Sequence, residues 1–123
     1  MTAYQKAQAF NNLRWGCMPV TLLIGGEIAQ ARARGACSVA VADPAQLASL
    51  VPDSADLQAA LRPQITRVVT DFLGERSAQG LDTAQFTTVT PAAVQSLHER
   101  LAPRLADMGL ELKAVTIEAI ERV

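Results

Sequence analysis

Residues 90–123, TPAAVQSLHERLAPRLADMGLELKAVTIEAIERV, carry the clearest pattern in this chain. Thr90 offers a side-chain oxygen at a helix N-cap. Pro91 takes the first helical position, where a missing N–H leaves no bond unmade. Val94, Leu97, Leu101, Leu105 and Met108 recur at three and four residues and line one helical face. Gly109 stops that helix. Leu110 to Val123 then reads as a strand.

Working back from there, Glu27–Ala42 is the longest candidate strand. Arg32 and Arg34 share one face of it, and Ala31, Ala33, Cys37, Val39 and Val41 share the other. Gly35 interrupts the run and marks a bulge. The alanines of Glu27–Ala36 also suit a helix, but Val39 and Val41 favour the strand. Val20–Ile24 is a short buried strand, and Gly25-Gly26 reads as the tight turn of a hairpin. Leu13-Arg-Trp-Gly16 is a strand fragment. Residues 1–12 read as an N-terminal arm or a first edge element, with the main domain running from 13 to 123.

Between the strands lie helices. Asp43-Pro44 places a carboxylate at an N-cap and proline just behind it, and Leu47, Leu50 and Val51 give the short helix an apolar side. Pro52-Asp53-Ser54 closes it and caps the next. That longer helix carries Leu57, Leu61, Ile65, Val68, Phe72 and Leu73 at spacings of mostly three and four. Pro63, and Pro103 in the later helix, predict a kink or a break in each. Residues 80–88 read as a loop anchored by Phe86.

Composition narrows the class. A chain of 123 residues is one domain, and at this size it buries roughly two-thirds of its unfolded surface. Half of it is hydrophobic but only 4% is aromatic, so small aliphatic side chains must fill the core. Eleven basic and twelve acidic residues leave a net charge of −1. That balance gives no pull on nucleic acid. The apolar run Pro19–Gly26 is far short of the ~20 residues of a membrane-spanning helix, so no transmembrane segment is expected. Cys17 and Cys37 form no CxxC pair and read as reduced thiols of a cytosolic protein.

No catalytic, cofactor or metal signature emerges. His98 is the single histidine, and no GxSxG elbow accompanies it as a nucleophile. Cys17, Cys37 and His98 are too widely spaced to read as a zinc set. Gly25-Gly26 lacks the surrounding residues of a phosphate-binding loop. Trp15, a core or contact anchor, and Arg32 and Arg34, on one strand face, are the candidate interface residues.

The order of these pieces resembles a known superfamily. Leu13-Arg-Trp-Gly16 is followed by Gly35-Ala-Cys-Ser-Val-Ala-Val-Ala-Asp-Pro44, then by helices with Leu61-Arg-Pro-Gln-Ile65 and Leu101-Ala-Pro-Arg-Leu105. Gly109-Leu-Glu-Leu-Lys-Ala-Val-Thr-Ile-Glu-Ala-Ile120 closes the series. Across Leu13–Val123 this is similar to the SPFH or Band 7 superfamily of stomatin, prohibitin and flotillin, and most to its bacterial virion-core-like branch. The resemblance implies an α+β domain, with an antiparallel sheet and helices packed on one face. It also implies a non-enzymatic scaffold that forms homo-oligomers or binds other proteins, without cofactors. Such a module would be cytoplasmic and peripheral at the inner face of the membrane. Members usually carry further strands or an anchor before the Trp-Gly region and a coiled coil after the last strand, so the sequence reads as a truncated single domain. Two other readings compete: a small apolar-ligand-binding domain, with the ligand between sheet and helices, and an enzyme built on His98.

Overall fold

The computed structural model describes residues 4–17 and 19–123. The first three residues of the expected arm lie outside that range. Among the described residues four strands and four α-helices follow in the order β1 (Ala9–Gly16), β2 (Val20–Ile24), β3 (Glu27–Val41), α1 (Pro44–Leu50), α2 (Leu57–Ala78), α3 (Thr83–Thr87), α4 (Pro91–Ala106) and β4 (Leu110–Arg122). A 3-10 turn at Ser54–Asp56 leads into α2.

β3 organises the sheet. One of its edges pairs antiparallel with β4, from Ala31↔Arg122 to Val41↔Leu110. Its other edge is shared end to end by β2, from Val20↔Ala31 to Ile24↔Glu27, and β1, from Gly16↔Arg34 to Ala9↔Ala40. The strand reading of Glu27–Ala36 therefore holds over the helical one. Gly25 and Gly26 turn the β2–β3 hairpin with φ of 60° and 81°, the left-handed pair that a two-residue turn of this hand requires.

All the helices pack on one face, so the fold is α+β with a one-sided sheet. Ala29, Ala31, Ala33, Cys37, Val39 and Val41 of β3 are buried, with Leu110, Leu112, Val115, Ile117 and Ile120 of β4. Leu57, Leu61, Ile65, Val68, Phe72 and Leu73 of α2 press onto them, as do Leu97, Leu101 and Leu105 of α4. Each such leucine, fully withdrawn from water, contributes about 1.5–3 kcal/mol. Alanine is prominent in the β3 stripe, at positions 29, 31 and 33.

The two sequence motifs that bracket the helical region meet in space. Asp43 caps α1, accepting the Gln46 N–H at 3.1 Å. Gly109 ends the α4 turn with φ 86°. Its carbonyl accepts the N–H groups of Ala42 and Asp43 at 2.8 and 3.0 Å. A Cβ at Gly109 would stand 2.6 Å from the Asp43 carbonyl oxygen, so both the backbone angle and the close approach call for glycine.

Three expectations need correction. Residues 80–88 are not all loop: Thr83–Thr87 form α3, started by a capping box. Asp82 accepts the Gln85 N–H at 2.8 Å, and the Gln85 side chain accepts the Asp82 N–H at 3.1 Å. Neither proline breaks its helix; α2 and α4 run through Pro63 and Pro103. The carbonyls that lose a donor belong to Ala59 and Glu99, and both residues are exposed, where an unmade bond is least costly. Lastly, β1 begins at Ala9 rather than Leu13. Tyr4 is buried as well, donating its hydroxyl to the Val51 carbonyl at 2.7 Å. Burial, with Asp53 and Asp56 nearby, pushes the Tyr4 pKa up.

Arg76 of α2 fastens α3 in place. Its guanidinium lies 5.8 Å from the ring centres of both Phe72 and Phe86. It donates to the carbonyls of Gln85 and Phe86 at 2.9 Å and of Thr88 at 3.2 Å. A cation at the carbonyl end of a helix is also favoured by the helix dipole. Desolvation lowers the Arg76 pKa.

Candidate functional site: the open face of the sheet

The alternation that buries one side of β3 leaves the other without a covering helix. Arg32 and Arg34 project there, as their spacing predicts. Arg14 of β1 and Glu118 and Glu121 of β4 join them. Arg32 pairs with Glu121 at 3.0 Å. Arg34 reaches Glu121 at 3.1 Å and Glu118 at 3.7 Å. Arg14 also donates to Glu118, so one ionic ladder crosses β1, β3 and β4. Its members remain partly solvated, and such pairs are worth little individually, about 0–1 kcal/mol. Their value lies in the charge pattern: arginine on β1 and β3, glutamate on β4.

Arg14, Glu118 and Glu121 escaped the sequence reading. Arg14 could have been found from Trp15, since neighbouring residues on a strand face opposite ways. The glutamates were masked by irregular pairing. Across Arg34/Gly35 and Ser38/Val39 the β3–β4 register slips, each time with one more residue on β4 than on β3: Glu118 at the first slip and Lys113 at the second. β1 likewise holds one extra residue between Phe10 and Leu13.

Trp15 sits on the opposite face from the arginines and is only 5% exposed. It pairs with Gly35 across the ladder, and its ring occupies the space a side chain there would need. Among the described residues the indole N–H has no hydrogen-bond partner. Trp15 therefore anchors the core, and the structure separates it from Arg32 and Arg34.

The remaining sequence candidates are not drawn into a common centre. Cys17 is half-buried at the end of β1 and Cys37 is buried in β3; neither is bridged. Burial pushes the Cys37 thiol up to about 11. His98 is half-buried on α4 and, among the described residues, has no hydrogen bond or ion pair to a carboxylate, hydroxyl or thiol. Among the described residues no group of three His, Cys, Asp or Glu could share a metal ion, and no helix is long and apolar enough to cross a membrane.

Shallow clefts follow the open face. One of about 230 Å³ is lined by Gly16, Cys17, Arg32, Arg34, Ala119 and Glu121. Another, of about 280 Å³, lies over Ala36, Ser38 and Thr116. A third, of about 370 Å³, lies over Ala40, Glu111 and Lys113. Small residues on β3 and taller ones on its flanks produce this trough.

No curated protein matches the chain. A family model does: that of the SPFH domain-Band 7 family, over residues 3–122. The match takes in every strand and helix described above, including the Asp43–Gly109 junction, and the chain belongs to the SPFH domain-Band 7 family.

Proposed function

We propose that this chain is a non-catalytic assembly and scaffold module of SPFH type, one that associates with copies of itself or with other proteins at or near a membrane. The observation that supports the reading most is the family match across the whole folded body, residues 3–122. The ionic, shallowly troughed sheet face is suited to contact with another protein surface. Attachment to a membrane would be peripheral, on its cytoplasmic side.

The layer between sheet and helices is filled by Leu57, Leu61, Phe72, Leu97 and Leu101, which leaves the competing ligand reading an open cleft of about 400 Å³ at its edge, lined by Ala102, Ala106, Leu110 and Leu112 among others. The enzyme reading rests on His98, which among the described residues has no hydrogen bond or ion pair to a carboxylate, hydroxyl or thiol.

Vesicle flotation combined with mass measurement tests the proposal. The expected result is a species heavier than one chain that either floats with vesicles or is held by a co-purified protein at defined stoichiometry. A chain that is monomeric at every concentration, stays off vesicles and captures no protein would refute it.

A further inference from the structure

A cleft of about 260 Å³ lies in the helical layer, between the last turns of α2 and the first turns of α4. Glu75, Arg76, Gln79, Thr90, Ser96 and Arg100 supply its polar lining. Each of these except Glu75 can donate a hydrogen bond, and part of that capacity is unspent. Arg76 gives its Nε and Nη2 to backbone carbonyls, and among the described residues its Nη1 meets no acceptor. Arg100 gives Nε to the Ser96 hydroxyl at 3.4 Å and Nη2 to Glu75, and among the described residues its Nη1 is likewise unengaged. The Thr90 and Ser96 hydroxyls accept from the Ala93 N–H and from Arg100, and neither donates its own proton to a described group. Unspent donors from two helices thus border one small space.

The charges agree with the donors. Arg76 is half-buried and, among the described residues, has no carboxylate partner. A cation drawn partly out of water is stabilised by a counter-charge. Glu75 is the one carboxylate lining the cleft, and it pairs with Arg100. One positive charge is left unanswered, and the dipole of α4 adds to it at the helix start. The Glu75 side chain is 61% exposed, so its bond to Arg100 is a weak surface pair that a stronger anion can displace.

We propose that this cleft binds the phosphoryl group of a phosphate monoester, held between Arg76 and Arg100 with the Thr90 and Ser96 hydroxyls donating to its remaining oxygens. Guanidinium forks match phosphate oxygens two at a time. A monocarboxylate would merely replace Glu75, whereas a dianion answers both arginines once Glu75 has swung into water. The volume lies below the ~300–1,000 Å³ of sites that enclose a whole drug-sized ligand. The cleft therefore takes the phosphoryl group and leaves the body of the ligand outside. A soluble ester and a phospholipid headgroup both present that group. Because Arg76 also holds α3, the bound anion should slow hydrogen exchange at residues 83–88. The inference is independent of the assembly reading above, and its failure leaves that reading standing.

Titration of the 123-residue chain with inorganic phosphate, a dianion at about pH 8, tests it by amide NMR at constant ionic strength. Saturable shifts are expected at residues 90–96 and at the Arg76 and Arg100 side chains, and acetate should bind far more weakly. Arg100→Gln should weaken phosphate binding at least about tenfold. Glu75→Gln should tighten it by up to about fivefold, because it frees Arg100 and removes a like charge. Both variants leave Arg76 and its hold on α3 in place, and circular dichroism confirms that they are folded. Flotation with phosphatidylcholine vesicles, with and without phosphatidic acid, separates the two sources. Flotation that needs phosphatidic acid and is abolished by Arg100→Gln identifies a headgroup; phosphate binding without such flotation identifies a soluble ester. The inference is overturned if phosphate fails to saturate by roughly 10 mM and no Arg100-dependent flotation occurs. Acetate binding as tightly as phosphate, or binding indifferent to both variants, overturns it equally.

Discussion

Gly35→Ala is the substitution the fold should tolerate least for its size. A Cβ at Gly35 would lie 1.9 Å from the Thr116 carbonyl oxygen of β4, and 2.6 Å and 2.8 Å from Cζ2 and Cε2 of Trp15. Ordinary contact begins near 3.4 Å, so β4 or β3 must withdraw by 3.4 − 1.9, or 1.5 Å. A ladder hydrogen bond does not survive that movement. Overpacking typically costs about 1–3 kcal/mol, and one lost ladder bond adds about 1 kcal/mol. A loss of about 2–4 kcal/mol is expected, a large part of the 5–15 kcal/mol typical of a domain. It corresponds to a fall in Tm of roughly 8–16 °C at about 4 °C per kcal/mol. Urea unfolding followed by circular dichroism measures it. Trp15 is the only tryptophan, so its fluorescence reports on the same spot. Trp15→Ala removes the ring contact but not the carbonyl, so Gly35→Ala should remain costly in that background. A loss below about 1 kcal/mol, or full rescue by Trp15→Ala, would refute the geometry.

Other outcomes follow from single contacts. Arg76→Lys should cost about 1–3 kcal/mol, since an ammonium cannot stack on two rings while serving three carbonyls; hydrogen exchange should quicken at Gln85–Val89 while α2 stays protected. Pro63→Ala should stabilise by about 1–3 kcal/mol, because it restores a donor to the Ala59 carbonyl and removes the ring clash; an unchanged or lower Tm contradicts this. Cys37 supplies the pH-dependent term. Its pKa rises from 9.0 to about 11 on folding, so the folded state holds its proton more tightly. That stability is fully present below pH 9 and is lost as pH climbs through about 11. Urea midpoints should fall over that window in the wild type more than in Cys37→Ala, and at pH 8 a thiol reagent should label Cys17 well before Cys37.

What could be read in the sequence tracks where local chemistry and tertiary packing agree. The caps at Asp43 and Thr90, the glycine stop at 109 and the period-two stripe of β3 each state their structure within a few residues. α3 was missed although Asp82 and Gln85 stand at capping-box spacing, because five residues hold too little periodicity to register. The break offered as one outcome at each proline does not occur, because propensity ignores which carbonyl loses its donor; exposed Ala59 and Glu99 make the loss tolerable. β4 was recognised, but its buried residues 110, 112, 115, 117 and 120 step by two and three in turn. That rhythm is neither a regular strand nor a helix, and it arises from pairing with β3. Glu118 and Glu121 consequently could not be assigned to a face. Arg32 and Arg34 could, because β3 itself is unbroken. Trp15 was open between core and contact until Gly35 was seen to make room for its ring.

Among the described residues β3 is the only strand with partners on both edges, and this shapes the order in which the chain can fold. The β2–β3 hairpin is local and closes within microseconds. β4 must instead find Ala31–Val41 from the far side of the helices. On the ribosome, β3 is complete at residue 41, while β4 begins at residue 110 and ends at 122. At roughly 5–20 residues per second, the edge destined for β4 is exposed for about 4–16 s. During that interval the nascent chain offers an eleven-residue unpaired edge, with Val39 and Val41 at its end. Aggregation during synthesis, and chaperone capture, should therefore centre on residues 31–41. A mutation that delays β4 should lower yield more than its effect on final stability would suggest.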